Sequence, residues 1–235
     1  MILLVSVIHE DEVDHAISGR ADIIDIKNPR EGSLGAATPD TISRIIKRVD
    51  GRRETSVALG DLPNLPGTVS LAAAGAATLK PDYIKLGLLG TRTPEEARSL
   101  LEPAIRTVKQ LNPNTNVIAC GYADSDLVGS VSPLVLPEIV QDTGGDGVLV
   151  DTIHKDGRSL FDFISDHHLN SMVNDLRERG LISALAGSLT SNHATRLKDI
   201  SPDVIGIRGA ACVNNDRANG RISAPAILSF KSSLT

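Results

Sequence analysis

Two charged residues, Asp25 and Lys27, lie at the end of a short apolar run near the start of the chain. The isoleucines of segment 21–29 and its stop at an Asn-Pro pair predict a buried strand. Because strand side chains alternate between faces, Asp25 and Lys27 point the same way, opposite Ile24 and Ile26. Parallel α/β proteins place their chemistry at strand carboxyl ends, so this pair is a candidate catalytic site. The alternative is a solvated ion pair, since lysine is mostly a surface residue.

Further strand ends carry the same residue types. Lys85 lies near the end of the fourth apolar run (82–87), Asp151 ends the sixth (146–151), and Lys155 follows on the next loop. Burial and neighbouring cations lower the pKa of a lysine, which is how Schiff-base enzymes obtain a neutral amine. The aspartates would limit repulsion and carry protons. Three lysines and two aspartates therefore favour amine catalysis over the alternative, a network of ion pairs closing the barrel top.

The ends of the last two apolar runs suit a phosphate group. Gly187 and Ser188 follow the seventh run (181–186), Arg208 ends the eighth (203–208), and Gly209 comes next. Barrels often bind phosphate after these two strands through backbone N–H groups. Arg208 is expected either to contact the phosphate directly or to brace the barrel rim. Ser33, on the glycine-rich loop after Lys27, is a candidate for a second anion.

The elements that must position these residues alternate regularly. Eight apolar, β-branched runs are separated by segments with helix signals, which is the number of strands that a (β/α)8 TIM barrel requires. The predicted strands are 2–6, 22–27, 56–59, 82–87, 116–121, 146–151, 181–186 and 203–208. With no low-complexity tract or linker, residues 1–235 are predicted to form a single barrel domain.

Capping residues predict where several helices begin. Thr38 and Thr93, each followed by proline, are expected N-caps, and Asp166 is expected to cap a helix that closes at Gly180. Pro103 should kink or split the helix that begins after Thr93. Ser223 is expected to begin the final helix.

Composition excludes several classes of partner. The net charge is −5 and aromatic residues make up 2% of the 235 residues, so neither a basic surface nor base-stacking rings favour nucleic acid. The two cysteines and six histidines show no metal-binding spacing, and the glycine-rich loop lacks a dinucleotide fingerprint. The apolar N-terminus is too short to span a membrane. We therefore expect a cytoplasmic protein without a membrane partner; homo-oligomer formation is compatible with the fold.

Several longer motifs carry a resemblance. The chain resembles the (5-formylfuran-3-yl)methyl phosphate synthases, or 4-HFC-P synthases, of methanofuran-type cofactor biosynthesis. The similarity spans nearly the whole sequence, and the segments that carry it are 21–29, 31–36, 66–73, 82–85, 121–124, 151–152 with 155–157, 185–188 and 206–212.

The resemblance implies a (β/α)8 lyase that condenses two D-glyceraldehyde 3-phosphate molecules into a phosphorylated furan aldehyde, releasing one phosphate and two waters. The family's Schiff-base lysine falls on Lys27 and its proton acceptor on Lys85. Its supporting Asp25, Asp151 and Lys155 are also present. The resemblance implies triose phosphates as the small-molecule partners, and no metal or organic cofactor.

Other functions share these features. A different Schiff-base aldolase acting on triose phosphates is the nearest alternative, since fold and lysine alone do not name a product. A phosphosugar isomerase would use the carboxylates without a covalent step. A non-catalytic sensor of phosphorylated metabolites would use the Ser188 and Arg208 region and leave the lysines inert.

Overall fold

Eight parallel strands close into one barrel, with neighbours in the sheet following chain order. The computed structural model describes residues 1–234. The strands are β1 (Ile2–Val7), β2 (Ile23–Ile26), β3 (Glu54–Asp61), β4 (Tyr83–Gly87), β5 (Asn116–Tyr122), β6 (Gly147–Asp151), β7 (Ile182–Leu185) and β8 (Val204–Ile207). The predicted (β/α)8 barrel is thus confirmed, and each strand overlaps its predicted segment.

Helices cover the outside of the barrel. They are α1 (Val13–Ser18), α2 (Pro39–Val49), α3 (Pro66–Ala77), α4 (Pro94–Leu111), α5 (Ser125–Val128), α6 (Leu136–Thr143), α7 (Asp166–Glu178), α8 (Ala194–Ile200) and α9 (Ala224–Ser233). After β8 the chain first makes two short 3-10 turns, Gly209–Ala211 and Val213–Asn215, before α9 begins.

Strand alternation divides the apolar residues into two cores. One face of β2, including Ile24 and Ile26, packs under the helices in the larger outer cluster. A smaller cluster fills the barrel interior, with Leu4, Ile118 and Leu149 among its members. Because the interior is filled at its amino-terminal side, polar side chains that share its face can gather only at the carboxyl-terminal mouth.

Three of the four predicted helix N-caps are confirmed, and the fourth lies one residue earlier than predicted. Thr38, Thr93 and Ser223 each accept a hydrogen bond from the backbone N–H three residues ahead. The prediction that Asp166 caps α7 is wrong, because Ser165 accepts that bond from the His168 N–H and Asp166 is the first helical residue. A carboxylate there still interacts favourably with the helix dipole.

Pro103 does not split α4, which runs unbroken from Pro94 to Leu111. Proline removes one backbone donor from the helix. The residues around it, Leu100, Leu101, Ala104 and Ile105, are all buried, so packing holds the helix together across the missing bond. No helix in residues 1–234 is long and apolar enough to cross a membrane.

Candidate active site

All five predicted catalytic side chains meet at one cavity. Its volume is about 320 Å³ and it lies at the carboxyl ends of the strands, within the size range of small-molecule sites. The residues lining it include Asp25, Lys27, Lys85, Asp151 and Lys155. Three strands and one loop, far apart in the chain, therefore place two carboxylates and three amines at the same point.

Two of the lysines are held by close ion pairs. Lys85 Nζ lies 2.7 Å from Asp25 Oδ1, and both residues are almost fully buried. Ser6 on β1 donates its hydroxyl to the other oxygen of Asp25 at 2.9 Å. Lys155 Nζ donates to Asp151 Oδ1 at 2.7 Å. These pairs fix both amines and both carboxylates in place.

Lys27 is the amine without a close charged partner. Its nearest carboxylate oxygen, Asp151 Oδ2, is 4.0 Å from Nζ, and the residue is only 7% exposed. Burial lowers the pKa of Lys27 to about 8; Asp151 opposes this shift, and the charge of Lys85 adds to it. A buried lysine with a lowered pKa can supply a neutral, nucleophilic amine near neutral pH.

Both carboxylates stay ionised. Burial alone would raise the pKa of Asp25, but the charges of Lys85 and Lys27 outweigh it and lower that pKa below its usual value. Burial also acts to raise the pKa of Asp151, and the charges of Lys155 and Lys27 lower it far more. The site therefore holds fixed negative charge around a partly neutral Lys27, which suits proton transfer.

The loop that follows Lys27 is tied down by Asp61, at the end of β3. Asp61 accepts hydrogen bonds from the Ser33 N–H at 2.7 Å and from the Tyr122 hydroxyl at 2.5 Å. Gly32 has a φ of +141°, and a Cβ atom there would lie 2.0 Å from an Asp61 oxygen. Glycine is thus required for this close approach. The Ser33 hydroxyl donates to the Thr152 carbonyl at 2.7 Å, so it joins two loops and lies outside the cavity lining.

The loop that carries Lys155 is held from β5. Asp124 accepts hydrogen bonds from the backbone N–H groups of Ile153 and His154, at 2.8 and 2.9 Å. It also pairs with His154 Nδ1 at 2.8 Å. Lys155 additionally contacts Thr152 Oγ1 at 3.0 Å. His154 thus helps to anchor the loop that carries Lys155.

The predicted phosphate end forms one wall of the same cavity, which Gly187, Ser188, Arg208 and Gly209 line. Gly187 and Ser188 have φ values of +100° and +52°, so the chain turns sharply as it leaves β7. This turn brings backbone close to the cavity, where N–H groups can meet an anion.

The Arg208 guanidinium is fully occupied. Its Nη atoms donate to both oxygens of Glu12, at 2.8 and 3.0 Å, and to the carbonyls of Ser6 and Gly220. Its Nε donates to the Arg217 carbonyl at 3.1 Å. These five bonds use all five donors of an arginine, which favours the bracing role over direct phosphate contact.

Sequence reasoning missed several residues that complete the site. They contact a predicted catalytic side chain, the cavity-lining Arg208 or the loop after β2, or they line the cavity itself: Ser6, Glu12, Asp61 and Arg217, in that order. Ser6 and Asp61 carry a signal that could have been used, because each is polar at the end of an apolar run. Glu12 and Arg217 lie on loops with no such pattern.

The fold and the site together define a (β/α)8 barrel enzyme with a lysine- and aspartate-lined cavity. The family model for 4-HFC-P synthase matches residues 3–231. The chain is 47% identical to the (5-formylfuran-3-yl)methyl phosphate synthase of Methanocaldococcus jannaschii over 98% of both chains. It is 44% identical to that of Methanopyrus kandleri, over 94% of this chain and 93% of the other. The chain belongs to the 4-HFC-P synthase family.

Solved structures share the barrel at low sequence identity. A thiamine phosphate pyrophosphorylase from Pyrococcus furiosus superposes with a TM-score of 0.63 at 12% identity, covering 99% of this chain and 94% of that one. A phosphoribosyl anthranilate isomerase from Thermus thermophilus gives 0.61 at 15%, with coverage of 100% and 98%. At such identities the likeness concerns the fold alone.

Proposed function

We propose that this chain condenses two D-glyceraldehyde 3-phosphate molecules into (5-formylfuran-3-yl)methyl phosphate through a Schiff base on Lys27, acting as a lyase. One phosphate and two waters leave, which balances the atoms. The observation that carries the proposal is the buried Lys27, whose pKa is lowered to about 8 beside two lysines already paired with carboxylates. The product would serve methanofuran-type cofactor synthesis in the cytoplasm.

The first step needs a neutral amine and a nearby acid. Lys27 adds to the aldehyde carbon of one triose phosphate, and the resulting hydroxyl must leave as water. The Lys85 ammonium, held by Asp25 at 2.7 Å, supplies that proton and becomes neutral. The iminium then acts as an electron sink, and the neutral Lys85 takes the proton from the adjacent carbon.

The later steps join the two trioses. The enamine on Lys27 adds to the aldehyde of the second triose phosphate, forming the new carbon–carbon bond. Elimination of one phosphate and loss of water then lead to the aromatic ring. Asp151 and Lys155 are paired at 2.7 Å, and Asp151 lies 4.0 Å from Lys27. They serve these dehydrations as a proton-transfer pair. Gly187, Ser188 and Gly209 hold a phosphate at the cavity wall.

Borohydride trapping tests the covalent step. The enzyme is incubated with D-glyceraldehyde 3-phosphate, reduced with borohydride and digested, and the adduct is located by mass spectrometry. We expect a stable adduct on Lys27, since reduction converts an imine into a secondary amine. An isomerase or a sensor forms no adduct, and an aldolase of another specificity releases no inorganic phosphate with a furan aldehyde.

Lys27→Arg and Lys47→Arg form a matched pair. Lys47 lies on an exposed turn of α2, so its replacement should leave trapping and turnover unchanged. Arginine at position 27 keeps the charge but stays protonated, so both the adduct and turnover should be lost. Substantial turnover by Lys27→Arg would assign the nucleophile to another residue.

A further inference from the structure

The loop between β8 and α9 carries an arginine over the cavity. An antiparallel bridge between Cys212 and Ile222 closes the base of this loop, and Val213 N–H donates to the Arg221 carbonyl at 3.0 Å. Arg217, near its tip, lines the cavity together with the catalytic lysines. The loop is therefore a closed projection whose tip faces the site.

The Arg217 side chain has an unused donor inside the protein. Its Nη2 atom is fully buried and has no hydrogen-bond partner among residues 1–234. A buried donor of a charged group normally has a partner, because leaving it unpaired is costly. Burial lowers the pKa of Arg217, and the charge of Asp151 offsets this only in part. A bound anion would supply the missing acceptor and offset the burial of the charge.

The other basic residues of the cavity are committed elsewhere. Lys85 and Lys155 pair with carboxylates at 2.7 Å, and all five donors of Arg208 are in use. Lys27 must stay available for the covalent step. Among the basic residues in the described cavity lining, Arg217 is thus the one free to take a phosphate.

Arg208 fixes the position of Arg217. Two of its donors hold the loop itself, at the Arg217 and Gly220 carbonyls, while two others grip the buried Glu12. The loop is thereby fastened to the barrel where β8 ends. This arrangement gives Arg208 a role at the predicted phosphate site although it has no donor left for a ligand.

We propose that Arg217 binds the phosphate group of the substrate in the cavity that Gly187 and Ser188 also line, and that Arg208 together with Glu12 positions Arg217. The substrate class, a phosphorylated triose, rests on the proposed function. Guanidinium groups bind phosphate oxygens in forked, charge-assisted pairs, and a charge-assisted bond of this kind corresponds to an affinity change of about 10- to 100-fold.

Inorganic phosphate is the probe for this role. Its dissociation constant is measured by calorimetry for the full-length wild type, Arg217→Met, Arg217→Lys and Arg221→Met. Arg221 lies on the same loop but is exposed, so it serves as the matched control. We expect Arg217→Met to weaken binding about 10- to 100-fold, Arg217→Lys to be intermediate, and Arg221→Met to bind like the wild type. Circular dichroism checks that each variant folds.

Equal binding by Arg217→Met and the wild type, equal losses in Arg217→Met and Arg221→Met, or a wild type that binds no phosphate would each overturn the assignment. A second measurement separates it from the covalent chemistry. Trapping with unphosphorylated D-glyceraldehyde should be as fast in Arg217→Met as in the wild type, while trapping with the phosphate ester slows. Arg217-dependent phosphate binding without any Lys27 adduct would leave this inference standing and remove the proposed Schiff base.

Discussion

At pH 7 a lysine amine in water is almost entirely protonated, because its ordinary pKa is 10.5. Lys27 departs from this because it is buried and its nearest carboxylate oxygen is 4.0 Å away. With a pKa of about 8, about a tenth of its amine is neutral at pH 7. Lys85 and Lys155 are also buried or nearly so, yet each has a carboxylate at 2.7 Å. The three lysines therefore differ in the distance from the amine nitrogen to the nearest carboxylate oxygen.

The pH dependence of trapping reports the neutral amine directly. Deprotonation of Lys27 increases as pH rises through its pKa, so the rate of adduct formation should increase about tenfold from pH 6 to 7 and level off above about pH 8 to 9. Single-turnover borohydride trapping measures this. A rate that keeps rising about tenfold per pH unit up to pH 10, with no plateau near pH 8 to 9, would show that the amine behaves as it does in water.

The same shift predicts a gain in stability when Lys27 is removed. The pKa is about 8 in the folded protein against an ordinary 10.5, so the unfolded chain binds the proton more tightly between these values. Stability therefore rises with pH across that window, and a penalty persists below it. Lys27→Met should raise the free energy of unfolding at pH 7 by up to about 3 kcal/mol.

Urea denaturation at pH 7 and pH 10 checks this, with the exposed Lys47→Met as the control. The gain from Lys27→Met should be smaller at pH 10, where the native amine is already neutral. A loss of stability at pH 7 would mean that Lys27 is a net stabilising ion-pair partner. Catalysis and stability would then not be in conflict at this residue.

At the scale of elements, two βα loops of the site are held in place by buried or partly buried aspartates. Asp61 holds the loop after β2, and Asp124 holds the loop after β6, because each carboxylate accepts hydrogen bonds from backbone N–H groups of that loop. Asp61, at the end of β3, ties the first of these loops to the sheet, and Asp124, just after β5, ties the second loop to the neighbouring one. A loop that moved would displace Lys155 or the segment following Lys27.

Gly32 and Gly75 differ in whether the structure leaves room and a suitable backbone conformation for a side chain. Gly32 has a φ of +141° and Asp61 packed against it, whereas Gly75 lies within α3 with nothing within 4 Å of a Cβ atom. Gly32→Ala should lower both the free energy of unfolding, by about 1–3 kcal/mol, and turnover. Gly75→Ala should raise stability by about 0.5–1 kcal/mol and leave turnover unchanged.

Thermal or urea unfolding together with phosphate release assays tests the pair. A destabilised but fully active Gly32→Ala would show that the loop does not position the catalytic groups. Equal effects of the two substitutions would mean that backbone conformation at position 32 is not restrictive.

For the whole molecule, closure of the barrel is reinforced by one buried cluster. β1 pairs with β8 in parallel, and Arg208 joins the β1 carbonyl of Ser6 to Glu12 and to the loop beyond β8. The cluster lies where the first and last strands meet. It therefore links β1 to β8 and to the cavity wall.

Breaking this cluster should cost far more than breaking a surface pair. Arg208→Met leaves the Glu12 carboxylate buried without its partner and should lower the free energy of unfolding by about 3–5 kcal/mol. Arg106→Met, which removes an exposed pair with Glu102 at 3.9 Å, should cost less than about 1 kcal/mol. The double variant Glu12→Gln/Arg208→Met should lose less than Arg208→Met alone. Urea denaturation of the four proteins measures this, and similar losses from Arg208→Met and Arg106→Met would contradict it.

The sequence by itself determined the barrel, its strand order and the side of it where Asp25, Lys27, Lys85 and Asp151 would meet. Strand alternation and the count of eight apolar runs are local properties, and closure turns them into one shared mouth. Family membership was likewise visible in motifs spread along nearly the whole chain. Local capping was predicted less well, since Ser165 and Asp166 offer equivalent side-chain acceptors one residue apart.

Only the tertiary structure decided which charged groups are committed and which are free. Arg208 and Arg217 both line the cavity, but the first donates five hydrogen bonds, whereas the second has a buried donor with no partner among residues 1–234. Glu12 precedes Arg208 by nearly 200 residues, and no periodicity links them. Electrostatic roles depend on distances across the fold, which sequence spacing does not encode.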